Sequence, residues 1–250
     1  RQWADARRFL NAYEQLPDHD PMLVYYAKGG LARANGNLAE AERQYRALRS
    51  LNSGFLPGQL ELARVLFENR KDREAQRAFE TIRAQLVDGG QQTQGVLQTV
   101  DALLVALKKR QGWQGSIALG PTYSDNVNQS SASYTCLLET NDGTCVVERR
   151  VPDAIKATGI SFEGGINRRI AIGGHSGLRG RTIFFGDIYP DHHDFSQTTV
   201  ITRLGYDYQT ARDGVAISPS FDLGTLGSSV LYRAWGVNAE WTHVFSPRFM

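Results

Sequence analysis

Asp191-His192-His193-Asp194 is the nearest this chain comes to a metal-ligand cluster. Adjacent histidines on an extended chain point to opposite sides and rarely share one ion, so the run reads as a solvated loop. His19, His175 and His243 stand alone. Glu163 and Glu240 have the chemistry of an acid–base pair, but both fall at polar positions of alternating segments and read as wall lining. The chain has no nucleophile elbow, phosphate loop or zincin motif. Cys136 and Cys145 lie close together among polar residues and lack a paired-cysteine metal spacing. They read as a local disulfide of an oxidising compartment, with two unpaired thiols as the other reading. No enzyme activity, metal or cofactor is expected.

The elements that carry these residues are of two kinds. In the first third a thirty-four-residue period is visible: Gly29, Ala32, Gly36, Ala41 and Tyr45 recur as Ala63, Leu66, Arg70, Ala75 and Phe79. That interval belongs to the tetratricopeptide helical hairpin. Asp20-Pro21 is an N-cap followed by proline in the first turn. The hairpins are expected over 21–48 and 57–86, preceded by a helix over 3–16 and followed by one over 92–110. Small residues at Gly29, Ala41, Ala63 and Ala75 allow close helix approach, and Tyr45 and Phe79 fill the space between hairpins. The second repeat departs from the pattern at Arg70, where glycine is usual, and at Asp72, where a large residue is. In tetratricopeptide proteins the first helix of each hairpin lines a peptide-binding face. That resemblance implies client contacts at Tyr26, Arg33, Leu60, Arg64 and Phe67, although Leu60 and Phe67 also read as core. Arg33 and Arg64 on one face point to an acidic or carboxylate-bearing partner.

From Gly112 the pattern changes to two-residue alternation. Val215, Ile217, Pro219, Phe221 and Leu223 oppose Ala216, Ser218, Ser220 and Asp222, and three other stretches alternate likewise. Strands are expected near 113–124, 155–167, 170–185, 197–209, 214–223 and 231–245. The connections 167–170, 209–214 and 245–248 are read as tight, and 125–154, 186–196 and 224–230 as longer. Strict alternation of short turns and long loops is the pattern of an outer-membrane barrel. Tyr206, Tyr208, Trp241 and Phe245 fall at one end, as an interfacial aromatic girdle would. Glu163, Arg203, Asp207, Asp222 and Glu240 face a lumen, while Arg168, Arg169, Arg212 and Arg248 escape the lipid by sitting at tight turns. Charge is nearly balanced, 28 basic against 26 acidic residues, which gives no field for nucleic acid. No stretch approaches the roughly 20 apolar residues of a spanning helix.

The expected fold class is therefore α plus membrane β. A tetratricopeptide-like α-solenoid at 1–110, in the periplasm, precedes the N-terminal part of an antiparallel transmembrane β-barrel at 113–250. About six strands cannot close in lipid, and neither Arg1 nor Phe249-Met250 shows a start or a terminating pattern, so the chain is expected to be a fragment. The segment from Trp113 through Gly120, with the following Asn126-Val127-Asn128 turn, resembles the first barrel strand of the surface lipoprotein assembly modifier (Slam) family. That resemblance implies a periplasmic repeat domain joined to an outer-membrane barrel longer than the part present. The barrel would help move lipoproteins, or in some members soluble secreted proteins, to the surface of Gram-negative cells, with no catalytic residues. The expected partners are a client lipoprotein or secreted protein, outer-membrane lipids and the barrel-assembly machinery, with no nucleic acid. The alternative is an outer-membrane channel exporting polysaccharide or solute, whose repeats assemble it on the periplasmic side.

Overall fold

The structure, a computed structural model, describes residues 2–87, 94–131, 134–150 and 152–245. The expected turn at 245–248, Arg248 and the end at Phe249-Met250 lie outside the described residues. Helices α1 (Gln2–Glu14), α2 (Pro21–Ala34), α3 (Leu38–Leu51), α4 (Leu56–Glu68), α5 (Asp72–Val87) and α6 (Gln94–Gln111) come first. The Asp20 side chain accepts from the Met22 amide and Asn37 from that of Glu40, which caps α2 and α3.

Helices α2 and α4 end in the same motif. Gly36 N–H donates to Arg33 C=O and Asn37 N–H to Ala32 C=O. Thirty-four residues on, Arg70 donates to Phe67 and Lys71 to Leu66. The motif needs a left-handed residue, and Gly36 (φ 72°) and Arg70 (φ 61°) both take that conformation. For a side-chain-bearing residue such as Arg70 this costs about 1–2 kcal/mol.

One apolar core runs through the stack, with Tyr45, Phe79, Leu48, Leu62 and Ile82 sealed from solvent and Val100 and Leu107 of α6 closing it. The Tyr45 ring lies flat against Gly29, where a Cβ would come within 2.7 Å of it. Ion pairs stitch the hairpins at the rim. Glu42 of α3 accepts from Arg46 and from Lys71 (2.9 Å), and Arg46 also reaches Glu74 of α5 (2.6 Å).

The rest is an antiparallel sheet in the order β1-β4-β5-β6-β7-β8. Its strands are β1 (Gln114–Ser124), β4 (Ala157–Gly173), β5 (Ser176–Ile188), β6 (Gln197–Gln209), β7 (Asp213–Leu226) and β8 (Ser229–His243). A separate hairpin, β2 (Tyr134–Glu139) with β3 (Cys145–Arg150), stands in the connection between β1 and β4.

Three expectations are corrected here. The polar run Asn167-Arg168-Arg169 is not a turn: β4 continues through it, and the turn is Gly174-His175, with Gly174 at φ 54°. The connection between β7 and β8 is the two residues Gly227-Ser228, not a long loop, so short and long connections do not strictly alternate. The 125–154 stretch carries the β2–β3 hairpin, and 190–195 forms a 3-10 segment.

The register gives the sheet two chemically distinct faces. One face runs from Leu119 through Phe162, Phe184, Val200 and Leu223, and from Pro219 to Val237, in directly paired or same-strand positions. Phe162, Phe184, Val200 and Leu223 are partly exposed, and others on this face are fully open: Leu119 is 68% exposed, Trp235 80% and Val237 76%. The other face carries Glu163, Arg179, Arg181, Arg203, Asp222 and Glu240. The first face bears charge within its strands only at Arg168, Arg233 and the first residue of β7, Asp213.

Gly29→Ala should lower the thermal midpoint of the helical signal by an amount equivalent to about 1–3 kcal/mol, because the Tyr45 ring has nowhere to go. Gly30→Ala has only the Tyr45 hydroxyl near it, at 3.7 Å. It should raise the midpoint, by about 0.5–1 kcal/mol. Equal shifts for the two variants in far-ultraviolet circular dichroism melts would contradict this packing.

Candidate functional site

The expected client face is largely occupied by the protein itself. Arg33 Nε and Nη2 donate to Glu68 (3.0 and 2.5 Å), and Nη1 donates to Glu61 (2.9 Å). The other oxygen of Glu61 accepts from Arg64 Nη1 (2.7 Å). The Arg33 guanidinium is therefore already paired within the protein, whereas Arg64 has only Nη1 engaged and stays part-exposed at its helix surface. The hydrogen bonds that Arg33 donates to Glu68, opposed by burial, raise its pKa above the ordinary arginine value. Tyr26 packs edge-on between Tyr45 and Phe55 (6.0 and 5.9 Å), Leu60 leans on the core, and Phe67 lies 4.2 Å beneath the Arg110 guanidinium. What stays open is a narrow groove of about 150 Å³ lined by Leu60, Arg64, Val96 and Leu103, between α4 and α6.

The polar face of the sheet separates the expected lumen residues into two groups. Glu163 and Glu240 are exposed, and Arg203 and Asp222 are half-buried. Glu240 stands 3.7 Å from Arg179 and 4.0 Å from Arg203. Arg203 Nε and Asp222 Oδ1 are buried without a hydrogen-bond partner among the described residues. Asp207 differs: it is 1% exposed and lines no open wall. Its Oδ2 accepts from Arg169 Nε at 2.7 Å, and Arg169 Nη1 lies 3.4 Å from Asp72 Oδ2 on α5. The second oxygen of Asp72 accepts from Arg110 of α6 at 2.7 Å. This chain of four alternating charges, with Asp72 at 1% and Arg169 at 8% exposure, runs from the helices into the sheet.

Gly177 leaves room for the chain, since a Cβ there would sit 2.8 Å from both Arg169 Nη2 and Asp207 Oδ1. Arg70 lies beside the chain. Burial, and then repulsion from Arg110, lowers its pKa. In the sequence the only mark of this site is the departure of Asp72 and Arg70 from the repeat pattern.

At the far end of the sheet, Asn126 and Asn128 act as clamps. Asn126 accepts from the Ser130 amide and donates to its carbonyl (2.8 and 2.7 Å). Asn128 accepts from Ile155 N–H and donates to Asp153 C=O (3.0 and 2.9 Å). Between them Val127 is buried with Ala157 and Tyr189. These bonds root the hairpin across which Cys136 and Cys145 are bridged, with 5.8 Å between their Cα atoms. Trp113 is exposed at the start of β1, and Gly120 pairs with Ser161 in open surroundings. Among the described residues no group of three potential metal ligands is present, and the His193–Asp194 pair is solvated.

Asp207→Asn removes one of the two countercharges of a buried arginine, and such a loss costs about 3–5 kcal/mol. Amide exchange at the β4–β5 turn and the start of α5 should accelerate together, while Glu163→Gln, on the open wall, leaves both unchanged within about 0.5 kcal/mol. A second prediction concerns acid. Burial at Glu42 favours its protonated form, but hydrogen bonds from Lys71 and Arg46 outweigh this and hold its pKa below the ordinary 4.5. Its contribution is thus complete above the unfolded value and lost as pH falls through the lower folded one. Melting midpoints of the helices should drop below about pH 4.5, and Glu42→Gln should flatten that drop.

The N-terminal 1–79 match the family described as surface lipoprotein assembly modifier, N-terminal TPR repeats, and 113–250 match surface lipoprotein assembly modifier. The chain is 37% identical to the hemophilin secretion modulator of Acinetobacter baumannii over 98% of its own length and 51% of that protein's. It is 26% identical to surface lipoprotein assembly modifier 2 of Haemophilus influenzae (84% of this chain, 41% of the relative). It is 24% identical to surface lipoprotein assembly modifier 1 of Neisseria meningitidis (98% and 47%). No solved structure matches. The chain spans about half the length of the curated relatives it matches. With both helical repeats and sheet covered, it belongs to the surface lipoprotein assembly modifier family.

Proposed function

We propose that this chain supplies the periplasmic arm and the first strands of an outer-membrane barrel that brings a lipoprotein or a secreted protein to the cell surface. The observation that carries this reading is the sheet's exposed apolar face. A monomeric protein in water rarely shows contiguous apolar patches beyond a few hundred Å², and lipid tails are the medium in which such a face is stable. No helix is long and apolar enough to cross a membrane, which says nothing of strands. The six strands run 11 to 17 residues, and a tilted crossing needs about 9–11. Tyr206, Tyr208 and Trp241 fall near the end of the sheet that meets the helices, the level of a headgroup girdle. That end is the periplasmic one in this reading, so 1–110 is the periplasmic domain, 113–250 the barrel part, and the disulfide hairpin faces outward.

The helices would hold the client and the polar wall would guide it, with the groove at Leu60 and Val96 taking an extended segment. The relatives' names support both client classes: one is named a hemophilin secretion modulator, the others surface lipoprotein assembly modifiers. The reading makes the protein an assembly factor and no enzyme, one that meets outer-membrane lipids and the barrel-assembly machinery.

The test is the exposure of a co-expressed client on intact cells. Antibody should reach it when the complete gene is present and lose it when the gene is deleted. Equal labelling in both strains would refute the proposal. A sugar-blocked conductance with no effect on any client would point to polysaccharide export instead.

A further inference from the structure

Arg168 and Arg169 are neighbours in β4, and alternation sends them to opposite faces. Arg169 is accounted for by Asp72 and Asp207. Arg168 sits on the apolar face between Ile166 and Ile170, where an arginine is costly unless it meets polar headgroups. It is exposed, its guanidinium lies 5.4 Å from the centre of the Trp113 ring, and its Nε donates to Gln111 C=O at 3.4 Å. Its two terminal nitrogens have no hydrogen-bond partner and no carboxylate among the described residues. Lys108, in the last turn of α6, has none either.

Both residues line a groove of about 600 Å³ between α5, α6 and β4. Leu104 and Val105 form its apolar side, and Val105 is itself exposed. The acidic residues at the groove are engaged in part: Asp101 pairs with Arg83 (2.6 Å), and Glu80 accepts from Gln76 (2.8 Å). Arg168 and Lys108, neither with a salt-bridge partner among the described residues, thus share the groove with Leu104, Val105 and the Glu80 carboxylate, and Arg168 links it to Trp113 and to the apolar face of the sheet.

We propose that this groove is a binding site for the phosphate of a phospholipid in the periplasmic leaflet. Arg168 and Lys108 hold the phosphate, and Leu104 and Val105 lie along the start of the acyl chains. The ligand is a lipid rather than free phosphate because Arg168, which lines the groove, stands on the apolar face of the sheet, and Leu104 and Val105 offer the groove an apolar side. The site ties the helical arm to the membrane plane at the point where the chain passes from α6 into β1. It rests on the membrane reading of the sheet.

The test uses the whole protein in maltoside micelles given phosphatidylglycerol, with bound lipid counted by native mass spectrometry. The parent should retain lipid, and Arg168→Gln combined with Lys108→Gln should weaken retention roughly tenfold. Inorganic phosphate should displace little of it. Undiminished lipid on the double variant, or displacement by inorganic phosphate alone, would overturn the site. Flotation with phosphatidylcholine vesicles separates the two readings. Both proteins floating leaves the membrane reading intact whatever the lipid count, whereas a parent that does not float overturns both.

Discussion

A guanidinium that is 8% exposed tolerates burial only with its charge answered on the spot. At Arg169 the answers come from Asp72, 97 residues earlier, and Asp207, 38 residues later. The helical stack and the sheet must therefore meet at one place and in one orientation. The rest of the architecture follows from that docking. α6 ends beneath β1, the Arg110 side chain is committed to Asp72, and the Arg212 turn comes close to Gly36. The apolar face begins at Trp113, directly above the helices. Because the chain of charges is buried, salt screens it far less than it screens the rim pairs such as Arg83–Asp101.

This docking also explains why the second hairpin is an imperfect copy of the first. Asp72 stands where the first repeat has Leu38, and Arg70 stands where it has Gly36. A repeat in the middle of a stack would present a large apolar residue to the next hairpin. Here the start of α5 presents a carboxylate to β4, and α6 rather than another repeat covers the core. Arg70 keeps the left-handed backbone without the residue that suits it, beside two other arginines. One of the two left-handed non-glycine residues among the described residues thus sits at the joint between the two halves; the other, Gln129, lies in the turn after β1 at the far end.

The two faces of the sheet give the family membership a physical form. One face is apolar, and the other offers polar and charged groups that are only loosely paired, as in the long Glu240 contacts to Arg179 and Arg203. The inner end is held rigidly by the charge chain. The outer end is trimmed by Asn126 and Asn128, whose side chains replace backbone pairing where the chain leaves β1 and returns to β4. Between these ends lies a wall of polar and charged side chains in long, part-exposed contacts.

Periodicity made much of this legible. A thirty-four-residue recurrence and a two-residue alternation are local properties, so helices, most strands and the identity of the apolar face could be read directly. So could Tyr45 and Phe79 as fillers and Gly29 as a point of close helix approach, though not the Tyr45 ring that lies against it. What escaped was everything decided by partners distant in sequence. Asn167-Arg168-Arg169 read as a turn because an isolated strand has no reason to bury an arginine; only Asp72 and Asp207 supply one. Arg33 read as a free cation because nothing in its own stretch of sequence points to Glu61 and Glu68 on α4. Sequence alone determined the elements and their faces, since these depend on side-chain period. Tertiary structure alone decided which charges are answered, since charge pairing depends on distances that only the docked halves define.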